Sequence, residues 1–229
     1  METIEGVPRQ ALSPGPAARL APGRRVLDVA VAVPLLLLLA PLLALLALVV
    51  RVTTGPPVLF RQARIGAGGE EFTFYKFRSM RNGSEGPQVT GDADPRVTGT
   101  GRQLRRLGLD ELPQLWNVLR GDMTLVGPRP EVPDLARRYP PEHQWVFRHR
   151  PGLTGPCQLR SRAYAAQLDG CPDPEDYYLK VLVPRRTALD AEFLSRATAW
   201  NVVRYVARTA LYLLRAPWGR DPECRGGGS

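Results

Sequence analysis

Residues 29–50 form an unbroken run of 22 positions without a charge, VAVAVPLLLLLAPLLALLALVV, and no other feature restricts the chain's fold so tightly. A run of that length crosses a bilayer as a straight helix. Pro34 and Pro41 lie inside it, and each removes a backbone donor and crowds the preceding turn, so a kink is expected near the middle. The flanks give little orientation. Arg24 and Arg25 precede the run, Arg51, Arg61 and Arg64 follow it, and both ends therefore favour the cytoplasmic side. A helix broken at proline that enters and leaves on one face satisfies both facts, with a simple tilted span as the alternative. The run is too long, and too poor in a small-residue cleavage site, to read as a signal peptide.

The chain has 229 residues, enough for one compact domain. Its 31 Lys and Arg against 22 Asp and Glu leave a net charge of +9, which points to phosphate-bearing partners. No helix-turn-helix pattern, zinc-finger spacing or aromatic-rich RNA-binding strand is present, so nucleic acid is set aside in favour of a nucleotide and an anionic lipid surface. Cys157, Cys171 and Cys224 form an odd set without CxxC, and His143 and His149 are six apart, so a zinc site is not expected. Reduced, incidental thiols suit a domain on the cytosolic side of a membrane. Residues 1–23 are Pro, Ala and Gly rich without periodicity and read as a disordered tail, and residues 216–229 as a mobile one.

Periodicity predicts an α+β arrangement. Two strands over 57–65 and 71–79 should form a hairpin about the glycine-rich turn 66–69. Leu104, Leu107 and Leu109 suggest an amphipathic interfacial helix. A second helix should begin at Asp110 and Glu111, with Pro113 in its first turn and Leu112, Leu115, Trp116 and Leu119 on one apolar stripe, Trp116 in the core. Short helices are expected around Pro140-Pro141, then an extended piece after residue 150. Helices follow over 177–183 and 188–214, the last packing through one apolar side.

Residues 105–130, RRLGLDELPQLWNVLRGDMTLVGPRP, carry the chemistry. Asp110 and Glu111 sit about 100° apart on a helix, close enough to share a divalent cation or to divide the roles of nucleophile and metal ligand. Arg102, Arg105, Arg106, Arg120 and Arg129 supply guanidinium forks suited to a diphosphate. On charge alone, a solvated helix face is the commoner meaning of such a segment.

The full set of motifs resembles the bacterial sugar transferases, the monotopic phosphoglycosyl transferases. VLFRQARIG (58–66), FTFYKFRSM (72–80), DPRVTGTGRQLRRLGLDELPQLWNVLRGDMTLVGPRPE (94–131) and RPGLTGPCQ (150–158) stand in that family's order, behind an apolar hairpin, and together cover about residues 24–214. The resemblance implies a re-entrant helix-break-helix over 24–52, broken at Ala40-Pro41 where relatives carry Ser-Pro, and a compact catalytic domain over 53–215. It implies a transfer of sugar 1-phosphate from a UDP-sugar to undecaprenyl phosphate at the cytosolic face of a bacterial cytoplasmic membrane, with anionic lipid contacts and a possible homodimer. Asp110 is implied as the nucleophile and Glu111 as the ligand of Mg²⁺, with Lys76, Arg105, Arg129 and Arg162 around the phosphates. A catalytically inactive scaffold and a lipid-binding surface protein are the competing readings. Pro156-Cys157 and Ser161 depart from the family pattern near Arg162. Thr198 and Val202 stand where many relatives have Ser and Asp, so the chain either does without that Asp or uses Asn201.

Overall fold

The computed structural model describes residue 12 and residues 14–81, 83, 89, 94–160, 167–168 and 171–215. Arg162, Ser161, Cys224 and the 216–229 tail lie outside the described residues. The described part of the expected N-terminal tail is tied down, with the Ala18 amide donating to the Arg148 carbonyl at 2.7 Å.

The apolar run forms one helix, α1 (Pro22–Thr53), which stays helical through Pro34 and Pro41. The break expected at Ala40-Pro41 does not interrupt the helix. Leucine and alanine are strong helix formers, and on both sides of each proline they continue the pattern. One stripe of α1 is docked along nearly its whole length. Leu27, Val31, Ala32, Leu35, Leu36 and Leu39 pack into a cluster with Phe74, Leu115, Val118 and Leu125. Further on, Leu42, Leu43, Leu46 and Val50 meet Phe77, Leu104, Val58 and Leu59. The opposite stripe is bare: Leu37, Leu38, Leu45, Leu48 and Val52 are exposed, Leu38 by 75%.

Polar bonds fix the N-terminal end of α1. Asp28 is buried, and its Oδ1 accepts from Thr124 Oγ1 at 3.0 Å and the Leu125 amide at 2.9 Å. Arg24 donates to the Val126 carbonyl, and Arg25 to the carbonyls of Val118 and Leu119 at 2.6 Å each. These arginines, expected as membrane-flanking charges, bond to main-chain carbonyls, among them that of Leu119 in the last turn of a helix.

The hairpin forms as expected: β1 (Leu59–Ile65) pairs antiparallel with β2 (Glu71–Phe77), Leu59 opposite Phe77 and Ile65 opposite Glu71. Helix α2 (Gly99–Leu107) follows, and Gly108 ends it in the left-handed conformation. Leu109–Glu111 is a separate 3₁₀ turn, and α3 (Gln114–Arg120) starts only after Pro113. The acids therefore precede the helix expected to begin with them, because Gly108 stops one helix and Pro113 sits at the cap of the next. The buried face of α3 is Gln114, Leu115, Asn117 and Val118. Trp116, expected in the core, is 50% exposed. Asn117 replaces a third strand: its Oδ1 accepts from the Tyr75 amide, and its Nδ2 donates to the Thr73 carbonyl at 2.7 Å.

One short strand escaped the sequence reading, and a second falls in the extended piece expected after residue 150. β3 (Thr124–Val126) and β4 (Gly152–Thr154) pair in parallel. Their crossing is tight enough to require glycine: a Cβ on Gly152 would lie 2.0 Å from the Gly127 nitrogen, and one on Gly155 2.4 Å from the Gly127 carbonyl oxygen. Helix α4 (Pro133–Arg137) and the 3₁₀ segment Pro141–Arg148 flank the Pro140 stop as anticipated. Helix α5 (Pro174–Tyr177) runs through a π-turn, Tyr178–Leu182, into α6 (Val183–Ser195). The single helix expected over 188–214 is two, since α7 (Ala199–Arg215) starts afresh where Thr198 Oγ1 accepts from the Asn201 amide.

Candidate active site

Four elements converge on the acid pair. The 3₁₀ turn carries Asp110 and Glu111, β2 carries Lys76, α2 carries Arg105, and the turn after β3 carries Arg129. Each of the three cations shifts the ionisation of Asp110, so all lie within electrostatic reach of it. Arg129 Nη2 donates to Glu111 Oε1 at 3.1 Å in an ion pair about one-third exposed. Arg105 is aimed by Ser79, whose Oγ accepts from Nε at 2.8 Å. That contact depends on Gly101, where a Cβ would stand 2.0 Å from the Ser79 carbonyl oxygen, so α2 lies directly on the chain leaving β2.

The two carboxylates titrate apart. Burial, then the neighbouring Glu111 charge, raises Asp110 to about 6, while Lys76, Arg105 and Arg129 oppose the rise. Burial also works against the Glu111 anion, but Arg129, Lys76 and Arg64 outweigh it and hold that carboxyl below its ordinary value. Burial, with Arg105 and Arg64 adding repulsion, lowers Lys76 to about 8. Among the described residues no hydrogen bond reaches the Asp110 carboxylate. The result is one firmly ionised acid and one desolvated, unfastened acid, an arrangement that suits division of labour between metal ligand and nucleophile.

No cluster of three or more metal-ligating side chains occurs among the described residues. The donors present, two adjacent carboxylates beside three cations, suit Mg²⁺, a hard ion that takes one or two carboxylates and completes its shell with phosphate oxygens and water.

Behind Arg129 lies a second, sealed acid. Glu131 is buried and accepts from Tyr139 OH at 3.0 Å, from Tyr178 OH in a very short bond, and from the Val132 amide at 3.1 Å. Arg64 and Arg186 approach it at 3.6 Å each, and Arg64 also donates to the Pro130 carbonyl at 3.2 Å. The turn that presents Arg129 is thereby clamped at its far end. Sequence reading missed Ser79, Glu131, Arg64 and Arg186, and placed Arg64 among the membrane flanks. Ser79, Arg64 and Glu131 each lie inside a quoted motif, 72–80, 58–66 and 94–131, and only Arg186 left no signal. The other arginines noted near the acids, Arg102, Arg106 and Arg120, are exposed on the surface. Arg78 has a structural task, donating to the Pro56 carbonyl at 2.9 Å. Asn201 is not at the site; its Nδ2 donates to the Arg196 carbonyl at 2.6 Å in the α6–α7 link. Val202 is core.

The chain is similar to known proteins along most of its length. The profile of the bacterial sugar transferases matches residues 19–216. A UDP-glucose:undecaprenyl-phosphate glucose-1-phosphate transferase of Caulobacter vibrioides is 41% identical over 207 residues, covering 87% of this chain and 73% of that protein. A protein of the same name from Escherichia coli is 36% identical over 218 residues, or 91% of this chain and 44% of its own length. An Aeromonas hydrophila UDP-N-acetylgalactosamine-undecaprenyl-phosphate N-acetylgalactosaminephosphotransferase is 40% identical over 165 residues, 69% of this chain and 39% of that protein. The chain thus spans less than half the length of the latter two.

Proposed function

The chain belongs to the bacterial sugar transferase family, and from that premise we propose that it is an undecaprenyl-phosphate sugar phosphotransferase. It takes a sugar 1-phosphate from a UDP-sugar, releases UMP, and commits the sugar to the membrane for polysaccharide or glycoconjugate synthesis. The observation that carries this reading is Asp110, a desolvated carboxylate held in place by no hydrogen bond among the described residues, beside an ionised Glu111 and within reach of Lys76, Arg105 and Arg129.

In the first step a carboxylate oxygen of Asp110 bonds to the β-phosphorus of the UDP-sugar. The bond from that phosphorus to the bridging oxygen breaks, and its electron pair leaves with UMP. In the second, a phosphate oxygen of undecaprenyl phosphate bonds to the same phosphorus and displaces Asp110, which returns as the free carboxylate. Arg105, aimed by Ser79, and Arg129, held by its turn, neutralise the phosphate oxygens in both steps, and Lys76 offsets the charge at Asp110 itself. Mg²⁺, held by Glu111, supplies further neutralisation of the diphosphate when bound.

The outer stripe of α1 supports a seat in one leaflet. Both ends of the helix are packed on the same body, through Asp28 and Arg24 at one end and Val50 at the other. A helix crossing the bilayer would carry one end away from a domain lying on one side. The bare face of Leu37, Leu38, Leu45 and Leu48 is instead read as buried in lipid from the cytosolic face, where the UDP-sugar is found. Helix α7 carries a second exposed apolar set, Trp200, Val203 and Leu211, beside Arg204 and Arg208, a composition that suits a lipid surface.

The test is UMP release by protein held in nanodiscs with Mg²⁺, undecaprenyl phosphate and a panel of UDP-hexoses and UDP-N-acetylhexosamines. Release with one donor, lost on chelation, supports the reading and names the sugar. Silence across the panel from folded protein would overturn it in favour of a scaffold.

A further inference from the structure

Gln114 is 2% exposed, yet its side-chain Nε2 has no hydrogen-bond partner among the described residues. A buried amide donor left unpaired costs about 1–3 kcal/mol of folding stability, and such groups are rare in folded proteins. Its position in the fold suggests why it is retained. Gln114 lies one helical turn before Asn117 and on the same face of α3, the face that meets β2, since Asn117 bonds to Thr73 and Tyr75 there. Going back along the chain from Gln114 leads to the 3₁₀ turn of Asp110 and Glu111, which also packs on β2, the strand that carries Lys76. Leu112 and Pro113 keep right-handed helical dihedrals between the two segments, so Asp110 and Gln114, four positions apart and both buried, fall on one face of this stretch.

Building on the proposed reaction, we propose that Gln114 is a substrate-binding residue: its Nε2–H donates to an oxygen of the phosphoryl group being transferred at Asp110. A neutral amide fits this place better than another cation. Lys76, Arg105, Arg64 and Arg129 already crowd the site with positive charge, and Arg105 and Arg64 add to the lowering that burial imposes on Lys76; an amide adds a directed donor without further repulsion. The donor is idle in the free protein and engaged when the phosphoryl group arrives, so its binding energy goes to the substrate complex rather than to folding.

The experiment compares wild type, Gln114→Met and Gln114→Glu in nanodiscs, by UMP release from the UDP-sugar that the donor panel selects and by thermal unfolding without substrate. Methionine keeps the length of the side chain and removes the polar group; glutamate keeps the shape and replaces the donor with an acceptor. Both variants should lose about 10- to 100-fold in kcat/KM, the size of one hydrogen bond to a charged group. Gln114→Met should unfold at the same temperature as wild type or higher, since an unpaired buried donor has gone. An active wild type with Gln114→Met within twofold of it would overturn the inference while leaving the proposed function standing. A Gln114→Met protein that unfolds well below wild type would also overturn it, by making Gln114 a structural residue. A folded but silent wild type would overturn the proposed function, and this inference with it.

Discussion

Asp110 and Glu131 are both buried carboxylates facing arginines, twenty-one positions apart in the chain, and the structure treats them in opposite ways. Glu131 is saturated: two tyrosine hydroxyls, a main-chain amide and two guanidinium groups surround it. Asp110 is desolvated to a similar extent but is left without a hydrogen bond among the described residues, its charge balanced only at longer range by Lys76, Arg105 and Arg129. The first arrangement stabilises a turn; the second leaves a carboxylate with no bonded partner among the described residues, as the proposed nucleophile requires. Arg129 belongs to both regions, paired to Glu111 on one side and two residues from Glu131 on the other. A buried acid is thus a poor sign of function on its own, and the state of its partners is the better one.

The largest expected effect separates the two acids by activity. Asp110→Asn should cut UMP release by roughly a thousandfold or more, the scale on which loss of a nucleophile is felt. Its unfolding midpoint should not fall, since the change removes a charge that burial disfavours. Glu131→Gln should do the reverse in stability, lowering the unfolding free energy by about 3–5 kcal/mol in urea titrations because Arg64 and Arg186 lose their counter-charge. If Glu131→Gln instead unfolded like wild type, the contrast between the two acids would collapse.

Two smaller effects sharpen the contrast. Gly152→Ala should destabilise by about 1–3 kcal/mol, because its Cβ meets the Gly127 backbone at the base of the turn that presents Arg129. Urea titration gives that figure, and activity should decline with it. Asp190 offers a pH signature in the sealed region. Burial, opposed by Arg186, raises its carboxyl from 3.8 to about 7. The folded state therefore holds a proton that the unfolded state has released between about pH 4 and 7, so stability falls as pH rises through that window and levels off above it. Asp190→Asn should flatten this decline and be the more stable protein at pH 8, as read from unfolding midpoints at pH 5 to 8.

Much of the site was legible in the sequence because it is written in contiguous motifs. Lys76 follows the alternation of a strand, Arg105 and Asp110 stand either side of a helix-stopping glycine, and Arg129 lies in a proline-braced turn. The β1–β2 hairpin was legible for a similar reason, with β-formers on either side of a glycine turn. What was missed depends on distance. Strand β3 is three residues long, too short for a period to register, and its pairing with β4 joins segments twenty-eight positions apart. Asn117 in place of an edge strand, Arg24 on a β3 carbonyl and Arg25 on two α3 carbonyls are tertiary solutions with no local pattern. The fresh start of α7 could have been read from Thr198 and Asn201 as a cap, a signal that the apolar stripe on either side concealed.

The most direct measurement is intact-mass and peptide mapping of acid-quenched protein, incubated with Mg²⁺ and its UDP-sugar but without undecaprenyl phosphate. The account predicts a mass increase of one sugar phosphate on the peptide bearing Asp110, present in wild type, absent in Asp110→Asn, and discharged when undecaprenyl phosphate is added. UMP release without any adduct, or with Asp110→Asn still turning over, would contradict it.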